Sequence, residues 1–188
     1  MMSKSLRRKG FTLIETLIVI AITALLSSFV LTYTSTSREQ VALYIEQSKL
    51  SQTVLRAKSL TLSTYNQPTI PCGYGVSIDA PTNTYTLFSY GTAPCGSIAS
   101  IDPSLVFVVK TNALSSQIRI ANRPESVQYI LFSPPDPKTT IWREGGGTST
   151  SSDGMIVIEG RSGKQAIGVG VNFAGQVSFE RVNAATQQ

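Results

Sequence analysis

One stretch constrains this chain more than any other. From Phe11 to Leu31 it reads FTLIETLIVIAITALLSSFVL, 21 residues with a single formal charge, Glu15. As a helix rising about 1.5 Å per residue, such a run crosses a hydrocarbon core of about 30 Å. The ten residues before it carry Lys4, Arg7, Arg8 and Lys9 and no acid. That asymmetry favours a leader held in the cytoplasm and everything after Leu31 outside. An ordinary secretory signal closes its apolar region with a small-residue cleavage site. Here the candidate site lies on the near side of the run, at Lys9-Gly10-Phe11. Glu15 needs a partner or a role, because a carboxylate at membrane depth costs on the order of 2.5 to 3.5 kcal/mol on insertion scales.

The octet Arg8-Lys9-Gly10-Phe11-Thr12-Leu13-Ile14-Glu15 resembles the class III signal of type IV prepilins and type II secretion pseudopilins. The resemblance implies that a membrane aspartic peptidase cuts between Gly10 and Phe11 and methylates the new amino terminus at Phe11. It implies that Glu15 neutralises the α-amino group of a neighbouring subunit during assembly. Gly10 leaves the backbone open to an approaching protease, and the apolar helix stays on the mature chain as its anchor. The competing description is an ordinary signal anchor with a tolerated Glu at its interfacial end.

No Pro lies between Phe11 and Gln67, and no Gly between Gly10 and Gly73, so nothing forces the helix to stop at the membrane surface. Val41, Tyr44, Ile45, Ser48, Leu55 and Leu62 fall near one face at helical spacing, which predicts an amphipathic stem to about Leu62. Ser48, Ser51 and Ala57 are small enough for close approach of a neighbouring element. Thr32 to Ser37, rich in hydroxyl and β-branched residues, is the expected place for a bend or partial unwinding. The absence of helix breakers inside the apolar segment leans toward a minor pilin or pseudopilin.

Pro68 and Pro71 end the helical region, and strands separated by turns follow. Residues 75–78 and 85–88 flank Asp79-Ala80-Pro81-Thr82-Asn83, a hairpin connection. Further strands are expected at 105–110, 117–121, 127–132, 155–159, 166–171 and 176–182, the last two forming a terminal hairpin through Ala174-Gly175. The Gly/Ser-rich stretch 144–154 reads as an exposed loop, with the strands on either side of it partnering in the same sheet. The expected organisation is therefore a leader 1–10, a transmembrane and assembly helix 11–31, an amphipathic helical stem 32–65 and a β-rich extracytoplasmic head 66–188. The fold class is α+β, with the long N-terminal helix packed on an antiparallel β-sheet head. Gly73-Tyr74-Gly75-Val76, Leu87-Phe88 and the pattern closing at Val169–Phe179 resemble the H-type minor pseudopilins and related minor pilins.

Cys72 and Cys95 sit in matching Pro-Cys-Gly contexts at the two ends of the first hairpin. Outside the cytoplasm disulfides persist, and a bridge here would stabilise by roughly 3 kcal/mol in the loop-entropy model. Two free buried thiols, or a redox or ligand role, are the alternatives at this stage.

The chain has no His, which removes the commonest general base and metal ligand, and two Cys cannot build a four-thiolate zinc site. Its eleven acids are scattered, and Asp136, Asp153 and Glu159 do not form an EF-hand series. Gly160-Arg161-Ser162-Gly163-Lys164 lacks the spacing of a phosphate loop and reads as a turn. No catalytic residue, metal or cofactor is expected, and a structural subunit is favoured over an enzyme.

The formal net charge of +5 raises nucleic acid as a partner. Four of the sixteen bases lie in the leader, however, and the remaining twelve face eleven acids, a formal +1. Some pilus relatives of this head type resemble DNA receptors for uptake, and Arg143, Arg161, Lys164 and Arg181 are the candidates for such contacts, with Tyr or Phe available to stack on bases. Solvated cations balanced by Glu144, Glu159 and Glu180 are the alternative. The resemblance thus implies a filament subunit whose partners are a prepilin peptidase, other pilin or pseudopilin subunits, an inner-membrane assembly platform and membrane lipid. A DNA-uptake pilin is the second choice, and a membrane-anchored extracytoplasmic enzyme or adhesin the third.

Overall fold

With no Gly or Pro to interrupt it, one α-helix, α1, runs from Leu13 to Thr64. This is seen in a computed structural model that describes residues 11–64, 71–91, 95, 98, 100–123, 126–134, 138–143, 148–149 and 153–182, with the side chains of 31–36 and 148–149 set aside. The helix does not unwind at residues 32–37, since helical structure is unbroken across them. The chain divides into two compact units, residues 1–38 and 39–188. The second unit contains the distal part of α1 and all the strands.

In the first unit, Leu13–Val30 is apolar all round, with a mean hydropathy of 2.3 and no buried side chain. The hydroxyls within it are satisfied by the helix itself. Thr16 donates to the Leu13 carbonyl at 2.8 Å, Thr23 to Val19 at 2.9 Å and Ser27 to Thr23 at 2.7 Å. An unsatisfied hydroxyl would carry a desolvation penalty in hydrocarbon, which bonds of this kind reduce.

In the second unit, strands β1 (Gly73–Asp79), β2 (Thr84–Tyr90), β3 (Val106–Ala113), β5 (Val127–Ser133), β6 (Lys138–Arg143) and β7 (Thr148–Ser149) form one antiparallel sheet in the order β3-β2-β1-β5-β6-β7. A second sheet has the order β10-β9-β8-β4, from β4 (Ile118–Ile120), β8 (Gly154–Gly160), β9 (Ala166–Val171) and β10 (Val177–Val182). Both expected hairpins form, β1 with β2 and β9 with β10. The expectation of a single sheet is corrected: β8 turns away from β7 to pair with β4 and β9. The expected 144–154 loop is corrected in part, because Thr148 and Ser149 pair with Trp142 and Ile141.

The main core lies where α1 meets the two sheets. It joins Leu43, Leu50, Val54 and Ala57 to Val76, Leu87, Ile130 and Phe132 of the first sheet and Ile158, Val169 and Val171 of the second. Each large aliphatic side chain buried here contributes about 1.5–3 kcal/mol. The expected helix face is corrected: Val41, Tyr44, Ile45, Ser48, Leu55 and Leu62 point outward, and the buried stripe is Leu43, Gln47, Leu50, Val54, Ala57 and Thr61. The Thr61 hydroxyl is tolerated in it because it finds backbone partners. Thr61 Oγ1 lies 3.0 Å from the Ala57 carbonyl and 3.2 Å from that of Phe132, and accepts the Tyr74 N–H at 3.2 Å.

A tight approach and a tight turn set the sheet geometry. A Cβ on Gly75 would collide with the Ile130 carbonyl and the Phe88 ring, so only Gly lets β1 sit this close to β5. Asn83 closes the β1–β2 hairpin at φ 57°, in the left-handed region that Asn tolerates. Its side chain then spans to the second sheet. Nδ2 donates to the Ile118 carbonyl at 2.8 Å and Oδ1 accepts the Ile120 N–H at 2.9 Å.

Candidate functional site

The start of α1 is built as a capping box. Thr12 Oγ1 accepts the Glu15 N–H, and Glu15 Oε2 accepts the Thr12 N–H and faces the Thr12 hydroxyl, all at 3.4 Å. Reciprocal bonding of this kind satisfies two otherwise orphaned groups at the helix start, where the helix dipole also favours a carboxylate. Glu15 therefore has a local partner within its own chain. Thr12 is the residue that sequence reasoning passed over, although the Thr-x-x-Glu spacing was there to be read. Phe11, the expected new terminus, is 80% exposed. Gly10 and the rest of the leader lie outside the described residues.

From this cap the side chains of α1 radiate without cover, the large apolar ones from Leu13 to Val30 being 52% to 82% exposed. Such a cylinder needs lipid or other apolar helices around it. Among the described residues it is the one helix long and apolar enough to cross a membrane.

In the head, Cys72 and Cys95 form a disulfide with a Cα–Cα separation of 5.4 Å. The bridge closes over the outer face of the first sheet. There Cys72, Phe88, Tyr90, Leu131 and Trp142 make a second apolar cluster, flanked by Ile98 and Ile101. The Tyr90 hydroxyl holds the same segment by accepting the Asp102 N–H at 3.1 Å. Asp102 in turn caps the short turn that follows, its carboxylate accepting the Ser104 hydroxyl at 2.7 Å and N–H at 2.9 Å, which hold that carboxyl below its ordinary range.

The four candidate cations do not converge. Lys164 and Arg181 line one depression of about 240 Å³ with Tyr44 and Gln40. Arg181 donates to the Tyr44 hydroxyl at 3.0 Å. Arg161 lies on the same turn as Lys164, between β8 and β9. Arg143 is on β6 of the other sheet, where it donates to the Asp153 carbonyl at 2.8 Å. Of the balancing acids, Glu159 pairs with Arg119 at 2.7 Å, while Glu144 lies outside the described residues. The Gly160–Lys164 turn holds a carboxylate of the chain itself: Ser162 donates to Glu39 from its N–H at 2.9 Å and its hydroxyl at 2.6 Å. Among the described residues, no group of three or more His, Cys, Asp or Glu is placed to hold a metal ion.

The described residues thus comprise an apolar helix that starts in a capping box and a disulfide-bridged α+β head. Residues 5–31 match the family model described as the prokaryotic N-terminal methylation motif. That match covers the leader and the apolar segment and does not extend into the head. No curated protein matches it in sequence. Among solved structures it is similar to the minor pseudopilin EpsH from the Type 2 Secretion System of Vibrio cholerae, with 11% identity over 76% of this chain and 98% of that one and a TM-score of 0.39.

Proposed function

We propose that the chain is a minor pilin or pseudopilin, a structural subunit of a type II secretion pseudopilus or a type IV pilus that serves protein secretion. In this reading it enters the inner membrane as a single-pass precursor with its head outside the cytoplasm. A prepilin peptidase cuts between Gly10 and Phe11 and methylates Phe11, and an assembly platform then lifts the subunit into a filament. Apolar packing of residues 11–31 holds it there, with Glu15 pairing to a neighbour's terminal amine. One observation carries the reading: the methylation motif spans residues 5–31 and ends on a helix whose apolar side chains have no cover of their own. DNA uptake is the lesser reading, because phosphate binding draws on concentrated positive charge and the candidate cations are divided between two sheets.

The intact mass of the membrane-extracted protein tests this. A mature chain beginning at Phe11 and carrying one extra methyl is expected, and Gly10→Val should leave the precursor uncut. A mature chain beginning beyond Leu31, or normal cutting of Gly10→Val, would remove the basis for the assignment.

A further inference from the structure

β3 is an edge strand that nothing among the described residues covers. It pairs with β2 on one side only, so every second N–H and C=O along Val106–Ala113 points away from the sheet. Natural edges of this length are usually blunted or covered. This one has a register shift against β2 and one Lys, Lys110, and still displays Phe107, Val108 and Val109, with Val108 66% exposed. The strand also overhangs the helix. Lys110 and Asn112 stand opposite Leu87 and Tyr85, which places them on the side facing α1. Between them and the flank of α1 runs a groove of about 570 Å³, lined by Lys49, Gln52, Thr53 and Arg56 from the helix.

The groove is cationic. Lys49, Arg56 and Lys110 line it and no carboxylate does. Lys49 is engaged by Glu46 at 3.0 Å, a buried acid behind the rim. Arg56 and Lys110 make no ion pair among the described residues. Two positive charges beside an open main-chain edge therefore await a matching group.

We propose that the β3 edge docks an extended acidic segment of a partner polypeptide, which adds to the sheet as a further strand. Main-chain hydrogen bonds would hold it. Side chains on its groove-facing side would be carboxylates meeting Arg56 and Lys110, and those on the other side would be β-branched or apolar, lying beside Val108. The site lies wholly within the head, so it stands whether or not the N-terminal helix enters a filament.

The test uses the full chain in detergent micelles and a short labelled peptide alternating Val and Glu, followed by fluorescence anisotropy. Saturable binding is expected, weakening as salt rises. Arg56→Glu and Lys110→Glu should each weaken it about tenfold, while Arg161→Glu, remote from the groove, leaves it unchanged. A peptide with Lys in place of Glu, or with a central Pro that cannot pair along the strand, should not bind. These substitutions are at exposed positions, and unchanged thermal melts confirm that the fold survives. No saturable binding, equal binding by the charge-reversed variants, or equal binding of the Pro-containing peptide overturns the proposal. Self-association of the chain that Val108→Lys abolishes also overturns it, since the edge would then belong to a second copy.

Discussion

Asn83 joins the two sheets through one side chain, and removing that side chain has a calculable cost. Asn83→Gly keeps the positive φ of 57° without strain, so its effect isolates the two cross-sheet hydrogen bonds to Ile118 and Ile120. Both partners belong to buried residues. A net loss of about 1 kcal/mol per bond, with up to about 2 kcal/mol more for a buried group left unpaired, gives about 2–4 kcal/mol. Asn83→Ala loses the same bonds and adds about 1–2 kcal/mol for a Cβ in the left-handed region. In a head of this size each kcal/mol lowers Tm by about 2–4 °C, so the Gly variant should melt about 4–16 °C lower and the Ala variant lower still. The single Trp, Trp142, is buried in the first sheet and reports the transition by fluorescence. A Gly variant melting within about 2 °C of the parent would refute the claim that this side chain couples the sheets. An Ala variant as stable as the Gly variant would refute the backbone part.

Glu15→Ala should insert into the membrane normally but enter filaments poorly, measured as the sheared extracellular fraction. Thr12→Val, which removes the cap hydroxyl and leaves the carboxylate, should assemble, and equal failure of both would assign the defect to the helix cap. Replacing Cys72 and Cys95 with Ser should cost about 3 kcal/mol in a urea titration, and an unchanged midpoint would show that the bridge adds no stability. Burial, and then the Glu46 carboxylate, push the Tyr85 phenol above its ordinary value, against a smaller opposing hydrogen bond with Thr53. The folded head therefore resists ionising Tyr85, and its stability should fall as pH rises past about 10. Tyr85→Phe should flatten that fall, and an identical pH profile would count against the burial argument.

Much of the head was legible because its strands alternate. Ile167, Val169 and Val171 with Gly between them, answered by Val177 and Phe179, left little choice about the terminal hairpin. The stem face misled for a physical reason. Its buried stripe carries Glu46, Gln47, Ser51 and Thr61, whose polar atoms are mostly satisfied by backbone and by Lys49, while its outer face carries Val41, Tyr44, Ile45, Leu55 and Leu62. A hydrophobicity pattern reports composition, and here composition and burial disagree. β6 was missed because Lys138-Thr139-Thr140 opens it with polar residues, although both Thr are buried and pair with β5. The split into two sheets depends on long-range pairing of β4 with β8, which no local pattern encodes. The divergence of the candidate cations follows from that same split, since Arg143 went with one sheet and Arg161, Lys164 and Arg181 with the other.

The attachment of the helix to its head also has a mechanical consequence. Glu39 is held by Ser162, Lys58 donates to the carbonyls of Ala174 and Gly175 at 2.9 and 3.2 Å, and Thr61 contacts Phe132. From Glu39 to Thr61 these tethers are spaced over about 33 Å of helix, with Leu43, Leu50, Val54 and Ala57 seated between them. A pull along the helix axis loads all of them in shear at once, whereas peeling would break them one after another. Force applied along residues 39–61 would therefore be shared among these contacts, and the head would stay folded around its helix until they failed together.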